Sequence, residues 1–249
     1  MPTSNKGLGS FTKAQARVLP VVILLDASGS MCEIIDDEGV QETGETVFSD
    51  GQEWQVVTGG RTKINVTNAC IQQMIATFSE QDRVDIQVCV ITFGPGDTAK
   101  LHLPLQSTSG LDWTDVEAEG NTPMGSAFTM AMQFLEDKSV VSGKAYRPTL
   151  ILISDGLPTD QGWERALERL KSGRRSGKAG RMALAIGEAD RDMLRRFLGD
   201  RSDELFEADQ AKELIRFFEF VTMSVTTRGN SVDPNAIPIR DDIMPPDEF

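Results

Sequence analysis

Residues 18–31 of this 249-residue chain read VLPVVILLDASGSM, and they predict a central strand that ends in a polar loop. The run 21–25 is unbroken, apolar and rich in β-branched residues. It is too short for a core helix and suits a strand that is buried on both faces. Asp26, Ser28 and Ser30 follow, so three oxygen-bearing side chains can converge beyond the carboxyl end of the strand. In open α/β sheets, ligands bind at this edge.

A second apolar strand and an intervening loop supply two more oxygen-bearing side chains. Residues 149–154 (TLILIS) lead into Asp155, and residues 120–125 (GNTPMG) form a turn that carries Thr122 ahead of a helical pattern. If the two strands are parallel neighbours, all five oxygen-bearing residues lie at one edge of the sheet. Carboxylates and hydroxyls suit Mg²⁺ or Mn²⁺, whereas zinc and copper prefer nitrogen and sulfur. Taken alone, the DxSxS pattern also fits a turn whose side chains bond their own backbone.

The segments DASGS, GNTPMG and ISDG, in this order and at these strand ends, resemble the metal-ion-dependent adhesion site of von Willebrand factor A (vWA) domains. The resemblance spans residues 18 to about 222. It implies Mg²⁺ as the cofactor, with Mn²⁺ or Ca²⁺ as alternatives, and a protein partner that supplies an Asp or Glu to the metal. The metal-site residues that it implies are Asp26, Ser28, Ser30, Thr122 and Asp155.

Residues 146–163, YRPTLILISDGLPTDQGW, resemble a narrower group within that family. The corresponding segment occurs in bacterial TerY-like proteins, which are associated with tellurite-resistance and stress gene clusters. That resemblance implies a role in a bacterial stress-response or defence system. It also makes a kinase or phosphatase encoded in the same gene cluster a candidate partner.

Strands and helices alternate along the chain, which predicts a Rossmann-like, doubly wound α/β fold with helices on both faces. We expect a mostly parallel six-stranded sheet with one antiparallel edge strand. Residues 83–93 and 97–105 are predicted to be two strands. They form an antiparallel hairpin at one edge of the sheet, because the three residues between them are too few for a parallel crossover. Later strands are predicted at residues 182–187 and 204–207. Helices are predicted at residues 61–78, 124–135, 163–171, 191–198 and 209–222.

Two helix starts are expected near the polar edge. The positive dipole end of the helix at 124–135 would face the loop that carries Thr122 and favour an incoming carboxylate. Asp160, in the turn Pro158-Thr159-Asp160, would cap the helix at 163–171.

The predicted organisation is a flexible leader (1–17), a vWA domain (18–225) and a proline-rich C-terminal tail (226–249). The domain carries an insertion at about residues 33–60, where Asp50-Gly51 between two apolar segments signals a β-hairpin. Because this insertion joins the polar loop to the first helix, it emerges beside the site and could form a lid. Its acidic residues could supply a ligand or form a solvated surface; among them are Asp36, Asp37, Glu38, Glu42 and Glu45.

Amino-acid composition limits the classes of partner and the cellular compartment that we expect for the chain. The 38 acidic and 25 basic residues give a net charge of −13, which argues against a nucleic-acid surface and favours cations or basic protein partners. No apolar run approaches the roughly 20 residues that span a bilayer, and no secretory signal is evident. Cys32, Cys70 and Cys89 show no CxxC spacing and leave one cysteine unpaired. We therefore expect a cytoplasmic protein that does not bind membranes.

Three functional classes fit these patterns to different degrees. A non-catalytic, metal-dependent binding module uses all five oxygen-bearing residues. A metal-dependent phosphohydrolase would also place an aspartate after the first strand, but Ser28 stands where such enzymes usually carry a second aspartate as general acid. A metal-free structural adaptor would use Asp26, Ser28 and Asp155 only for loop hydrogen bonds. The binding module accounts for the pattern best.

Overall fold

The structure is a computed structural model that describes residues 16–49 and 52–243. The strands are β1 (Val18–Asp26), β2 (Ile34–Asp36), β3 (Gln41–Ser49), β4 (Gln52–Thr58), β5 (Arg61–Thr62), β6 (Asp85–Phe93), β7 (Ala99–Ser107), β8 (Thr149–Ser154), β9 (Gly180–Ile186) and β10 (Phe206–Ala208). The helices are α1 (Lys63–Ser79), α2 (Met124–Glu136), α3 (Trp163–Ser172), α4 (Arg191–Leu198), α5 (Ala211–Asn230) and α6 (Arg240–Ile243).

Six strands form the central sheet, in the order β10-β9-β8-β1-β6-β7. Strand β1 pairs in parallel with β6 on one side and with β8 on the other. Strand β7 pairs antiparallel with β6 and forms one edge of the sheet. The predicted fold class is therefore confirmed: the sheet is mostly parallel, six-stranded and closed at one edge by an antiparallel strand.

Burial on both faces explains why β1 lies at the centre. Alternate side chains, including Val21, Ile23 and Leu25, join a core cluster with residues of α1 and α5. The side chains between them, Val22 and Leu24, join a second cluster with residues of α2, α3 and α4. All five are fully buried. An unbroken apolar strand is what such a two-sided position requires.

The segment between β1 and α1 forms two small antiparallel pairs, β2 with β5 and β3 with β4. Residues 50 and 51, where the sequence predicts the hairpin turn, lie outside the described residues. The base of this segment is fastened by an ion pair of 2.6 Å between Arg61 and Asp36. Asp36, one of the acidic residues of the insertion, therefore helps to hold the base of this segment together.

Helix α5 is longer than the sequence predicts. Helix α5 ends at Asn230, whereas the pattern predicted an end at residue 222 and a tail from 226. The reason is tertiary: Arg228 is 1% exposed, and its guanidinium donates to Thr149 Oγ1, the Pro234 carbonyl and the Arg147 carbonyl. The helix therefore continues past residue 225, where the predicted domain ends.

The state of the cysteines and the hydropathy of the helices relate to the expected compartment of the chain. All three cysteines are free thiols; Cys70 and Cys89 are buried and Cys32 is exposed. Within residues 16–49 and 52–243, none of the helices has both the length and the hydropathy that crossing a bilayer requires.

Candidate metal centre

Three loops meet at the carboxyl end of β1, and backbone hydrogen bonds tie them together. The amide of Ala27 donates to the Phe93 carbonyl at 2.8 Å, which joins the ends of β1 and β6. The amide of Glu119 donates to the Ala27 carbonyl at 2.8 Å, and the amide of Gly29 donates to the Gly120 carbonyl at 3.0 Å. The polar loop after β1 is therefore held between the loop after β6 and the loop before α2.

Two glycines make this close approach possible. Gly94 has φ +152°, and a Cβ atom there would collide with the carbonyl group of Ala27. Gly120 has φ +79°, and a Cβ atom there would lie 2.7 Å from the Gly94 carbonyl oxygen. Larger residues at either position would separate the three loops.

Four of the five predicted site residues form one continuous chain of hydrogen bonds. Oδ1 of Asp26 accepts from the amide of Ser28 at 2.9 Å. The hydroxyls of Ser28 and Ser30 lie 3.1 Å apart, and the Ser30 hydroxyl donates to Oδ1 of Asp155 at 2.8 Å. The hydroxyl of Ser154 donates to Oδ2 of Asp26 at 2.5 Å. Ser154 thus links β8 to β1 beneath the site, a role that the sequence analysis did not assign.

The fifth residue, Thr122, lies at the same edge, two residues before α2. Its side chain is packed against Gly156, where an added Cβ atom would lie 2.9 Å from the Thr122 hydroxyl oxygen. Its amide donates to the Thr159 hydroxyl at 3.1 Å, and its carbonyl accepts from the Thr159 amide at 3.0 Å. The structure therefore brings all five residues to one place. Their role as metal ligands stays a prediction.

Two buried carboxylates give this edge an excess of negative charge. Burial is the main cause that raises the pKa of Asp26 to about 6; the charge of Asp155 acts in the same direction, and hydrogen bonds from Ser154 and Ser28 oppose the rise. Both carboxylate side chains lie almost wholly out of solvent. Carboxylates buried this deeply need a cation nearby.

A lysine that the sequence analysis did not single out supplies part of that positive charge. Nζ of Lys63, the first residue of α1, lies 2.8 Å from Oδ2 of Asp155 and 2.6 Å from Oε2 of Glu33. Burial acts to lower the pKa of Lys63, but Asp155 and Glu33 outweigh it and the pKa is raised. No sequence signal pointed to Lys63, because residues 33–60 separate it from the polar loop.

The amino terminus of α2 corrects the prediction that Asp160 caps the helix at 163–171. Both carboxylate oxygens of Asp160 accept from backbone amides there, from Gly125 at 3.0 Å and from Ser126 at 2.8 Å. Asp160 therefore caps α2, whereas Gly162 precedes α3. These α2 amides already bind a carboxylate of this chain, and the effect of this helix end on an incoming carboxylate stays a prediction.

The donor set fits a hard divalent cation. Every side-chain donor among the five residues is an oxygen, and two of them are carboxylates, the combination that Mg²⁺ accepts while keeping several waters. In the part of the chain that the structure describes, no three His, Cys, Asp or Glu residues cluster so as to hold a metal. A soft-metal site built from nitrogen and sulfur therefore does not occur among these residues.

The family model for the von Willebrand factor type A domain matches residues 21–219. This chain belongs to the vWA family. Domains of this family are commonly metal-dependent protein-interaction modules, and they are generally non-catalytic. No curated protein matches the sequence of this vWA chain.

Solved structures share the fold of this vWA chain at low sequence identity. Proximal thread matrix protein 1 from the mussel byssus, whose structure is described with a zinc-occupied MIDAS motif, has a TM-score of 0.57 and 14% identity over 84% of this chain. A von Willebrand factor type A protein from Catenulispora acidiphila has a TM-score of 0.52 and 17% identity over 85%. The ArnB paralog VWA2 from Sulfolobus acidocaldarius has a TM-score of 0.53 and 16% identity over 86%. This chain covers 48%, 43% and 46% of these three proteins, so it spans about half of their length or less.

Proposed function

We propose that this vWA chain is a non-catalytic protein-interaction module that binds an acidic residue of its partner through a divalent cation. The residues that would hold the cation are Asp26, Ser28, Ser30, Thr122 and Asp155. The observation that carries the proposal is the hydrogen-bond chain that holds two buried carboxylates and two serine hydroxyls together where the loops after β1 and β8 meet.

Each residue of the site has a distinct task in this proposal. Asp26 and Asp155 supply the negative charge that attracts the cation, and the hydroxyls of Ser28, Ser30 and Thr122 supply neutral oxygen atoms. The bound cation would supply positive charge at the rim, which a carboxylate of the partner neutralises. We propose Mg²⁺ because the donors are all oxygen, with Mn²⁺ and Ca²⁺ as alternatives. Zinc belongs among the ions tested because the mussel protein is described with zinc in its MIDAS motif.

The residue at position 28 supports a binding role over phosphohydrolysis. Ser28 occupies the position of the second aspartate that such phosphatases use, and its amide and hydroxyl serve the hydrogen-bond chain. His102, the one histidine of the chain, lies on the edge strand β7, and its Nε2 lies 2.8 Å from the Thr114 carbonyl oxygen. Phosphatases of this type use the second aspartate as their general acid, and a serine hydroxyl is a poor substitute for it.

We further propose a cytoplasmic role in a bacterial stress-response or defence system of the tellurite-resistance type. The resemblance of residues 146–163 to TerY-like proteins supports it, and these residues lead through β8 into the loop beside Thr122. The free thiols of all three cysteines are consistent with a reducing compartment. A kinase or phosphatase from the same gene cluster is the partner class to test first, and the insertion beside the site is proposed to contribute to partner selection.

Calorimetric titration tests the metal-dependent module. Mg²⁺, Mn²⁺ and Zn²⁺ are titrated into chelator-treated protein, beside Asp26→Ala and Thr122→Ala. Thr129→Ala is the matched control, because its hydroxyl bonds the Gly125 carbonyl within α2. We expect saturable binding that both site variants lose and the control keeps. Binding that survives in Asp26→Ala would contradict the assignment.

A metal-free adaptor is the second candidate, and the ion pair between Lys63 and Asp155 favours it because the site is partly neutralised without a metal. Co-purification of partners with and without chelator distinguishes the two. A partner that remains bound in chelator, with wild-type protein that binds no metal, would support the adaptor.

A further inference from the structure

The ammonium group of Lys63 lies inside the proposed metal site. Its Nζ atom is 2.8 Å from Oδ2 of Asp155, 2.6 Å from Oε2 of Glu33 and 3.4 Å from the Ser30 carbonyl oxygen. The Lys63 side chain is only 10% exposed. A fully formed positive charge therefore faces the same carboxylate that a divalent cation would use.

The fold places Lys63 there through the two ends of the insertion. The Lys63 amide donates to the Glu33 carbonyl at 2.9 Å, so the first residue of α1 is fastened to the segment that leaves the polar loop. The Thr62 hydroxyl accepts from the Asn65 amide at 3.3 Å and caps the same helix. These contacts fix the backbone position from which the Lys63 side chain reaches both Asp155 and Glu33.

Lys63 and a divalent cation cannot share Asp155 without strong repulsion. Two like charges a few ångströms apart, shielded from water, repel each other far more than they do in solvent. Glu33 offers Lys63 a second acceptor, and its side chain is 67% exposed, so it can follow the lysine away from Asp155. The site therefore contains a side-chain cation, Lys63, that competes with the metal for Asp155, and a second carboxylate, Glu33, with which Lys63 can stay paired.

We propose that Lys63 is an internal cation that competes with the divalent metal for Asp155 and stays paired with Glu33 when the metal binds. This inference rests on the proposed metal-binding function. It means that the free protein keeps Asp155 neutralised and the site assembled without metal. It also means that metal affinity in this chain is set by displacement of a lysine as well as by the five oxygen-bearing residues.

Metal affinity of charge-removing and charge-keeping variants tests the proposal. Mg²⁺ and Mn²⁺ are titrated into wild-type protein, Lys63→Met and Lys63→Arg. For each of the three, the same protein with Asp26→Ala added is the blank. We expect Lys63→Met to bind at least about tenfold more tightly than wild type, while Lys63→Arg stays closer to wild type. A purely structural lysine would give the opposite result, because its loss would weaken binding.

The outcomes separate this inference from the proposed function. Equal or weaker affinity in Lys63→Met, with wild-type binding intact, overturns the role of Lys63 and leaves the metal module standing. No metal binding by any of the proteins overturns both. Glu33→Gln tests the second acceptor, and we expect its metal affinity to fall; an unchanged affinity contradicts the pairing of Lys63 with Glu33 in the loaded state.

A measurement on the wild-type protein remains decisive even if Lys63→Met does not fold. The ¹⁵Nζ resonance of Lys63, assigned by its absence from Lys63→Arg, is followed during Mg²⁺ titration. We expect it to shift over the same concentrations that saturate the calorimetric signal, because the ammonium leaves Asp155. A resonance that does not move while the metal binds would overturn the proposal.

Discussion

The Ser154 hydroxyl donates a 2.5 Å hydrogen bond to Oδ2 of Asp26, and this bond joins the ends of the two neighbouring parallel strands β8 and β1. Both residues are fully buried. Ser154 is therefore the residue through which the strand before Asp155 supports the first carboxylate of the site. Its loss would leave a buried carboxylate oxygen without its donor.

Ser154→Ala should lower the free energy of unfolding by about 1–3 kcal/mol, because a buried acceptor loses its partner. It should also weaken metal binding, since Asp26 is no longer held in place. Urea unfolding and calorimetric titration measure the two effects. Ser79→Ala is the control, because its hydroxyl bonds the Ala76 carbonyl at the exposed end of α1. Metal affinity equal to that of the control would contradict the supporting role of Ser154.

Gly94→Ala should separate the loops that form the site. The new Cβ atom would collide with the Ala27 carbonyl at a positive φ, and such crowding costs about 1–3 kcal/mol. We expect lower stability in urea and weaker metal binding. Gly143→Ala is the control, because no atom lies within 4 Å of the added Cβ position. Wild-type affinity in Gly94→Ala would show that the loops tolerate separation.

Arg228→Ala should release the segment after α5 from the body of the domain. The guanidinium bonds the Pro234 carbonyl at 3.0 Å and the Arg147 carbonyl at 2.7 Å, and both acceptors would lose a buried donor. We expect a loss of about 2–4 kcal/mol in urea unfolding and faster amide exchange in residues 231–243. Lys212→Ala, exposed on the same helix, should change neither. Unchanged exchange in 231–243 would contradict the anchoring role.

The thiols should differ sharply in reactivity. Burial raises the pKa of Cys70 to about 11 and raises the pKa of Cys89 still further, whereas Cys32 is exposed. Alkylation of the native protein at neutral pH should therefore modify Cys32 alone, because the thiolate is the reactive form. Peptide mass spectrometry identifies the modified residue. Rapid native-state modification of Cys89 would contradict its burial.

The raised pKa of Cys89 also gives stability a pH dependence with a definite sign. Above the ordinary thiol pKa of 9.0, the unfolded chain loses this proton while the folded chain keeps it, so the free energy of unfolding falls as pH rises. At one pH unit above 9.0, this thiol should account for about 1 kcal/mol. Cys89→Ala should therefore lose less stability than wild type between pH 7.5 and pH 10. Ser79→Ala, which removes no thiol, serves as the control and should follow wild type.

Much of the fold could be read from local patterns. The apolar runs of β1 and β8 predict strands buried on both faces, and the three residues between β6 and β7 require an antiparallel pair. The end of α5 could not be read in this way, because the last turns of the helix place Arg228 against oxygens of Thr149 and Arg147, which are distant in the chain. Helical periodicity carries no information about such partners.

The candidate site was likewise predictable only in part. Asp26, Ser28 and Ser30 lie within five residues of one another, and strand order places Asp155 beside them, so short-range pattern and topology suffice. Lys63 is separated from Ser30 by the whole insertion, and Asp160 caps a helix other than the one that follows it. Contacts of this kind depend on how loops return, which spacing alone does not predict.

The sequence by itself determined the family, the parallel sheet and the edge where the polar residues gather, because burial of apolar strands and the direction of the chain leave few other arrangements. Only the tertiary structure decided what surrounds the two carboxylates: Lys63 pairs with Asp155, and Ser154 donates to Asp26. It also decided that Asp160 caps the α2 amides. The physical reason is that buried charges select their partners by distance in space, and residues far apart in the chain supplied them.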